Sequence, residues 1–301
     1  MKYLLLLPCM LIALAGACAQ QKTQEEIDRE KRFQDQAAKA GPDTSTAFRW
    51  KHQAATGANL SEVAFRDWVA GGSNALAYTL WLQGSSVLTS AVTIWSNSYH
   101  LAFGQTRLAD QGLRKTDDDI YFESLLIWRL GTVINPYGAA ALRTQFAPGY
   151  DYPATGQVEV SKFFDPGYLT QSAGVAFRPS PVFTTRLGAA LREVVTSVYT
   201  QYSTDPATKE VHTVWTRGGL ESVSDCAAPL GANVKLIARL ELFAPFNAMD
   251  RIIVRNDYAI VATVNPYVTT NLTFNLIQDV NVSPRTQMKQ ALSLGLTYAL
   301  L

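Results

Sequence analysis

From Phe48 to the C-terminus, apolar and polar residues alternate with a period of two. In the stretch 232–244, Val234, Leu236, Ala238, Leu240 and Leu242 fall on one face. Asn233, Lys235, Arg239 and Glu241 fall on the other, with Ile237 an exception. In 267–278, Val268, Thr270, Leu272, Phe274 and Leu276 oppose Thr269, Asn271, Thr273 and Asn275. The last segment sets Leu292, Leu294, Leu296, Tyr298 and Leu300 against Ser293, Gly295, Thr297 and Ala299. Successive side chains of a strand point to opposite faces, so this period predicts strands. Twelve segments qualify, near 54–65, 75–88, 91–105, 117–130, 134–146, 168–178, 182–195, 212–223, 231–244, 250–264, 266–280 and 287–301. Most exceed the roughly five or six residues of a globular strand. They suit the roughly 9–11 residues of a tilted membrane strand plus its ends.

The links between segments sharpen the picture. Ser90, 130–135, 178–181 and Asn265-Pro266 are short and carry Gly, Pro or Asn at three of the four. The other links are longer, notably 147–167 and 196–211, and 224–230 is middling. Such alternation follows if one barrel end has tight periplasmic turns and the other extracellular loops, with both termini periplasmic. The fold expected is all-β: a single transmembrane antiparallel up-and-down β-barrel of about twelve strands, an even number as such barrels require. Trp128, Tyr137, Phe177, Phe183, Tyr267 and Tyr298 all map to the periplasmic strand ends and predict an aromatic interface belt. A soluble periplasmic β-sandwich is the alternative fold; it does not account for long strands with continuous apolar faces.

Composition adds an address. Of 301 residues 48% are hydrophobic and 17% charged, below the roughly 25% charge of soluble domains. The formal net charge of +1 gives no sign of a nucleic-acid partner. The one long apolar run is N-terminal. Lys2, the run Leu4 to Ala15 and the Ala17-Cys18-Ala19 site read as a cleavable signal peptide over 1–19. Acylation of Cys18 is the alternative. Residues 20–47 are charged and apolar-poor and read as a solvated periplasmic tail, leaving 48–301 for the barrel. Cys226 is then the lone mature cysteine, which excludes an intramolecular disulfide. The localisation expected is the bacterial outer membrane.

Four blocks carry a resemblance. They are Phe65-Arg66-Asp67-Trp68 with Gly71-Gly72-Ser73-Asn74, the run Gly112 to Asp118, the run Leu142 to Tyr150 that contains RTQFAPGY, and Pro166-Gly167-Tyr168-Leu169-Thr170. In these the chain resembles an outer-membrane barrel family filed among domains of unknown function under the number 3078. The resemblance implies a β-barrel and no catalytic residues.

If the apolar face meets lipid, the polar face lines a lumen. Arg129, Arg143, Arg178, Arg186, Arg192, Arg217, Lys235, Arg239, Arg251 and Arg255 are then expected inside, with Glu123, Glu221, Glu241 and Asp257. A hydrated basic lumen would favour small anionic solutes. A lumen filled by Arg–carboxylate pairs fits equally, since buried charges must be paired. Three functions follow: a narrow pore with a net basic lumen, a closed structural or surface-interaction barrel working through its long loops, or a lipid hydrolase. The last rests on Ser98 and His100, an i, i+2 pair on one face of strand 3 without a third member. A luminal polar patch is the plainer account, and no enzyme is expected. Asp117-Asp118-Asp119 beside Arg114-Lys115 could hold Ca²⁺ or touch lipopolysaccharide phosphate, and reads more simply as a paired loop edge. Metal-ligand spacing and cofactor motifs are absent from the sequence. Membrane lipid and lipopolysaccharide are the partners expected; oligomeric state is left open.

Overall fold

The computed structural model describes residues 49–64, 74–108, 112–131, 133–153, 156–205, 208–281, 283 and 285–300. The signal peptide and tail expected over 1–47 lie outside them, as does the block Phe65 to Ser73.

Twelve long strands run β1 (Arg49–Val63), β2 (Ala75–Thr89), β3 (Thr93–Leu108), β4 (Leu113–Trp128) and β5 (Ile134–Thr144), then β8 (Gly167–Ser180), β9 (Phe183–Val195), β10 (Val214–Pro229), β11 (Val234–Pro245), β12 (Ile253–Thr263), β13 (Val268–Gln278) and β14 (Gln287–Ala299). Between β5 and β8 the chain forms a separate two-stranded hairpin, β6 (Gly149–Asp151) and β7 (Val158–Ser161). The twelve strands form a closed barrel in the order β1-β14-β13-β12-β11-β10-β9-β8-β5-β4-β3-β2. Every ladder is antiparallel, and β1 closes on β14 from Ala55↔Ala299 to Leu60↔Leu294. Closure leaves no strand edge with unpaired N–H and C=O groups.

The strands exceed the expected ones most in three places. β1 begins at Arg49 instead of 54, β4 begins at Leu113 instead of 117, and β10 continues to Pro229. The excess residues mix polar and charged side chains, such as Arg49, Lys51, Gln53, Lys115 and Asp225, with Trp50, Leu113 and small residues. The polar ones look like loop in a sequence, and a lumen accepts them in a strand. The connection 224–230 is therefore part of β10, and the link that follows it is 230–233. All turns at that barrel end are short: 90–92, 129–133, 181–182, 230–233 and 264–267.

Register assigns the faces. Arg239 pairs with Asp225 and with Asp257, so these three point the same way. Following the ladders, the odd residues of β10 to β14 and the even residues of β8 and β9 face inward. The outer face is apolar and exposed: Leu80, Leu187, Leu292, Leu294 and Leu296 are each more than half exposed. The larger buried hydrophobic residues face inward, among them Tyr137, Trp215, Phe243 and Ile253, the last three near the long-loop ends of their strands. Leucines facing out and a polar interior are the reverse of a soluble barrel.

Tyr137 departs from the expected belt. It is 2% exposed and lies inside the barrel beside Arg186. Tyr137 and Arg143 are separated by an even number of residues in one strand, so they share a face. Room for the ring comes from small neighbours: Gly174 faces it in the β5–β8 ladder, and a Cβ on Gly188 would stand 2.7 Å from its hydroxyl. Trp128, Phe177, Tyr267 and Tyr298 are exposed at the short-turn end and Phe183 half-buried there. Trp50 and Trp95 join them, with ring centroids 5.7 Å apart.

Candidate functional site

The inward charges of β4, β9, β10 and β11 meet in the lumen. Glu123, 5% exposed, accepts hydrogen bonds from Arg186 and from Arg239 Nη2 at 2.9 Å, and the Tyr121 hydroxyl donates to it at 3.0 Å. Arg239 uses its whole fork. Nε donates to Glu241 Oε1 at 2.8 Å, Nη1 to Asp225 Oδ1 at 3.1 Å, and Nη2 also to the Tyr121 hydroxyl at 2.9 Å. Because β4 and β11 lie five places apart in the ring of twelve, the Glu123–Arg239 pair spans the lumen. Arg143 stands 3.9 Å from both Asp119 and Glu241, its guanidinium 4.5 Å from the centre of the Tyr121 ring. Arg255 donates to Asp257 at 3.3 Å, and Asn275 holds the other oxygen of that carboxylate at 2.7 Å. Charges removed from water are tolerable in such a set because nearly every oxygen meets a donor.

The two walls differ. From β13 through β14 and β1 to β3, the inward residues are mainly small or amide side chains, such as Asn59, Gln83, Ser98, Thr273, Asn275 and Ser293. The mid-height ion network occupies the side of β4 to β11, and the wall facing it is polar, with its charges toward its two ends at Lys51 and at Lys289, which lies 3.1 Å from Asp117. From the network itself, where Tyr121, Glu123, Arg186 and Arg239 line it, a cavity of about 310 Å³ extends toward the long loops. Its lining includes Arg143, Arg192, Glu241 and Arg255 from the wall, and Tyr202 and Asp279 from loops.

Two long loops over the cavity are tied together. Asp165, 2% exposed, accepts hydrogen bonds from the Ser197 hydroxyl and the Val198 N–H, each at 2.8 Å. Burial pushes its pKa up, and these donors outweigh burial and hold it below the usual aspartate value. The Tyr199 hydroxyl donates to Glu159, and Gln201 donates to the Val160 carbonyl at 3.1 Å. At the mouth of β4, Lys115 donates to Asp118 at 2.7 Å, and that carboxylate caps the N–H groups of Phe146 (2.7 Å) and Ala147 (2.9 Å). Asp118 thus serves as an anchor between strand and loop, and no cluster with metal-ligand composition occurs among the described residues.

Of the expected luminal charges, Arg143, Arg186, Arg192, Arg217, Lys235, Arg239 and Arg255 lie on inward faces, as do Glu123, Glu221, Glu241 and Asp257. Three arginines do not line the lumen. Arg129 follows the last residue of β4 and donates to the Ser90 carbonyl at 3.2 Å. Arg178 is exposed at the short-turn rim, where the β8–β9 register shifts. Arg251 is exposed in the connection after β11. Each has the right sequence parity and sits where the barrel wall has ended or distorted. Tyr121, Asp225, Asp119 and Tyr168 are network or cavity residues that sequence reasoning passed over. Tyr121 lies two residues from Glu123, so parity alone could have placed it.

Ser98 and His100 face inward on β3, opposite Ser85 and Gln83. Among the described residues no hydrogen bond joins them. His52 is on the outer face, 2.8 Å from the Ser86 hydroxyl, and His212 is in a loop, 3.9 Å from Glu210.

With this geometry in view, known proteins can be compared. Residues 60–150 match the family model described as "Protein of unknown function (DUF3078)". The chain resembles that family over this segment, which contains every block named above except Pro166 to Thr170. Among curated proteins no sequence match is found. Solved structures similar in fold include the translocator domain of autotransporter NalP from Neisseria meningitidis, at 10% identity, 91% of this chain, 95% of that chain and a TM-score of 0.35. An outer membrane channel from Pseudomonas putida F1 aligns at 10% identity over 86% of this chain and 98% of its own, with a TM-score of 0.39. The NanC porin aligns at 10% identity over 83% and 100%, also with a TM-score of 0.39.

Proposed function

We propose that the protein is a narrow pore of the outer membrane, constricted at mid-height by the Glu123–Arg239–Arg186 bridge. The observation that carries this is the two-sided lumen: at mid-height a fixed ion network on one side faces a wall of small and amide side chains on the other, whose charges, Lys51 and the Lys289–Asp117 pair, stand toward its ends. Ions and small solutes have a wettable path along the polar wall, and the network sets its width. The membrane setting is supported by the exposed apolar exterior, which in water would be a large aggregation-prone patch. Trp50, Trp95, Trp128, Tyr267 and Tyr298 suit one lipid interface. On this reading residues 1–19 direct export and are removed, and outer-membrane lipid and lipopolysaccharide surround the barrel.

Preference for anions is part of the proposal, with its seat moved. Arg239 is matched by three carboxylates and cannot attract a passing anion strongly. Arg192, lining the cavity above, has no such match among the described residues. The test is current through a planar bilayer holding the folded protein. Small regular steps are expected, and Arg239→Ala should enlarge each step by removing the bridge. A silent bilayer with inserted protein, for both the parent and Arg239→Ala, would overturn the pore reading. A closed barrel acting through its loops would then stand, a reading favoured by the Asp165 tie.

A further inference from the structure

We propose that Arg192 and Arg217 form a binding site for a small oxyanion, a phosphate or carboxylate group of a soluble molecule entering from the long-loop end. That the bound molecule is a permeating solute rests on the pore reading; the binding does not.

The β9–β10 ladder sets Arg217 directly opposite Arg192 on the inward face, three residues from the long-loop end of β9. Like charges in a cross-strand pair repel, so this juxtaposition disfavours the empty barrel. Elsewhere in the lumen an arginine this close to another is bridged by acid, as Glu123 bridges Arg186 and Arg239. Here none does. Among the described residues neither Arg192 nor Arg217 makes an ion pair with a carboxylate. Arg217 is 7% exposed, and its buried Nε has no hydrogen-bond partner.

The surroundings are aromatic in place of acidic. The Arg217 guanidinium lies 3.9 Å from the centre of the Trp215 ring, and that of Arg192 lies 5.5 Å from Tyr168 and 5.8 Å from Phe243. Ring faces hold guanidinium planes in place without neutralising them. The nearby acids are otherwise placed. Asp279, also lining the cavity, accepts from the Asn281 backbone N–H at 3.0 Å and side-chain amide at 2.7 Å. Glu221, on the same face of β10, also lines the cavity, stands opposite Gly188 and Phe243 and makes no ion pair with either arginine. Two stacked, adjacent guanidinium forks with no carboxylate in ion-pair contact among the described residues match the geometry of a carboxylate or phosphate group. The 310 Å³ cavity that Arg192 lines gives a small solute room.

The test is calorimetric titration of inorganic phosphate into the full chain folded in lipopolysaccharide-free detergent, at constant ionic strength held with chloride. Saturable binding at one site per chain is expected. Arg192→Gln and Arg217→Gln should each weaken it at least tenfold, and Arg129→Gln at the rim should not change it. Arg192→Lys and Arg217→Lys keep the charge and lose the fork, so they should weaken binding while preserving the heat-modifiable gel shift of a folded barrel. Absence of saturable binding, or equal affinity in the folded Lys variants, would overturn the site. A barrel that conducts without binding phosphate keeps the pore and loses this site. One that binds phosphate and is silent in the bilayer keeps this site and loses the pore.

Discussion

Glu123 takes hydrogen bonds from two arginines on different walls and from Tyr121. Replacing it with alanine leaves the Arg186 and Arg239 guanidinium groups without the carboxylate they share. The expected cost is about 3–5 kcal/mol, the usual effect of removing one partner of a buried ion pair. Urea titration of the folded barrel would measure it; a loss under about 1 kcal/mol would mean that water replaces the carboxylate fully. The inward placement of Glu123, Arg186, Arg239 and Glu241 is legible in the sequence, because parity along a strand fixes the face. Their pairing is not. Glu123 and Arg239 are 116 positions apart, and which charges meet depends on ladder registers that no single strand encodes. Tyr137 shows the same limit from the other side: its ring suggested an interface, and the glycines of neighbouring strands gave it room inside.

At the level of strands, the face assignments make a sharp prediction. Leu294 and Ser293 are neighbours at the middle of β14, Leu294 outside and 55% exposed, Ser293 inside opposite Asn271. Leu294→Arg should destabilise by about 2–4 kcal/mol, as a cation does at the midplane of a bilayer. Ser293→Arg should cost far less, since a lumen can hydrate it. Folding equilibria in vesicles distinguish the two, and equal costs would mean the register is off by one. In the loops, the Asp165 tie makes a pH prediction. Its carboxyl is held below the usual aspartate pKa, so its stabilising contribution is present above about pH 4, the unfolded value, and is lost as pH falls through the lowered value. Amide exchange at 196–205 should stay slow at pH 5 and accelerate on acidification below the ordinary aspartate range, beyond the intrinsic pH trend. Asp165→Asn should show the fast exchange already at pH 5.

For the whole barrel, the lumen is divided along its length and not merely narrowed. A ring of charge would have treated every passing solute alike. A network on one wall leaves the other free, so width and charge preference become separable properties. Loss of the bridge should change conductance, and loss of the Arg192–Arg217 pair should change affinity for anions with conductance nearly kept. Single-channel current in chloride and in phosphate reads both, and coupled changes in the two variants would refute the separation.

The sequence by itself determined the strand count, the alternating connections, the closed antiparallel architecture and the polarity of each face. These depend on periodicity and turn chemistry, which are local. It marked strand ends less well where polar residues continue into the wall, as over Arg114 to Thr116 and at Ser224 and Asp225. Only the tertiary structure decided that Arg129, Arg178 and Arg251 stand at rims, that Tyr137 lies within, and that the luminal arginines divide into those in ion pairs and the Arg192–Arg217 pair, which among the described residues is in none. The physical reason is that charge pairing in a barrel runs across the lumen, between residues brought together by ring closure and cumulative register. A period of two along one strand carries no trace of what stands on the opposite wall.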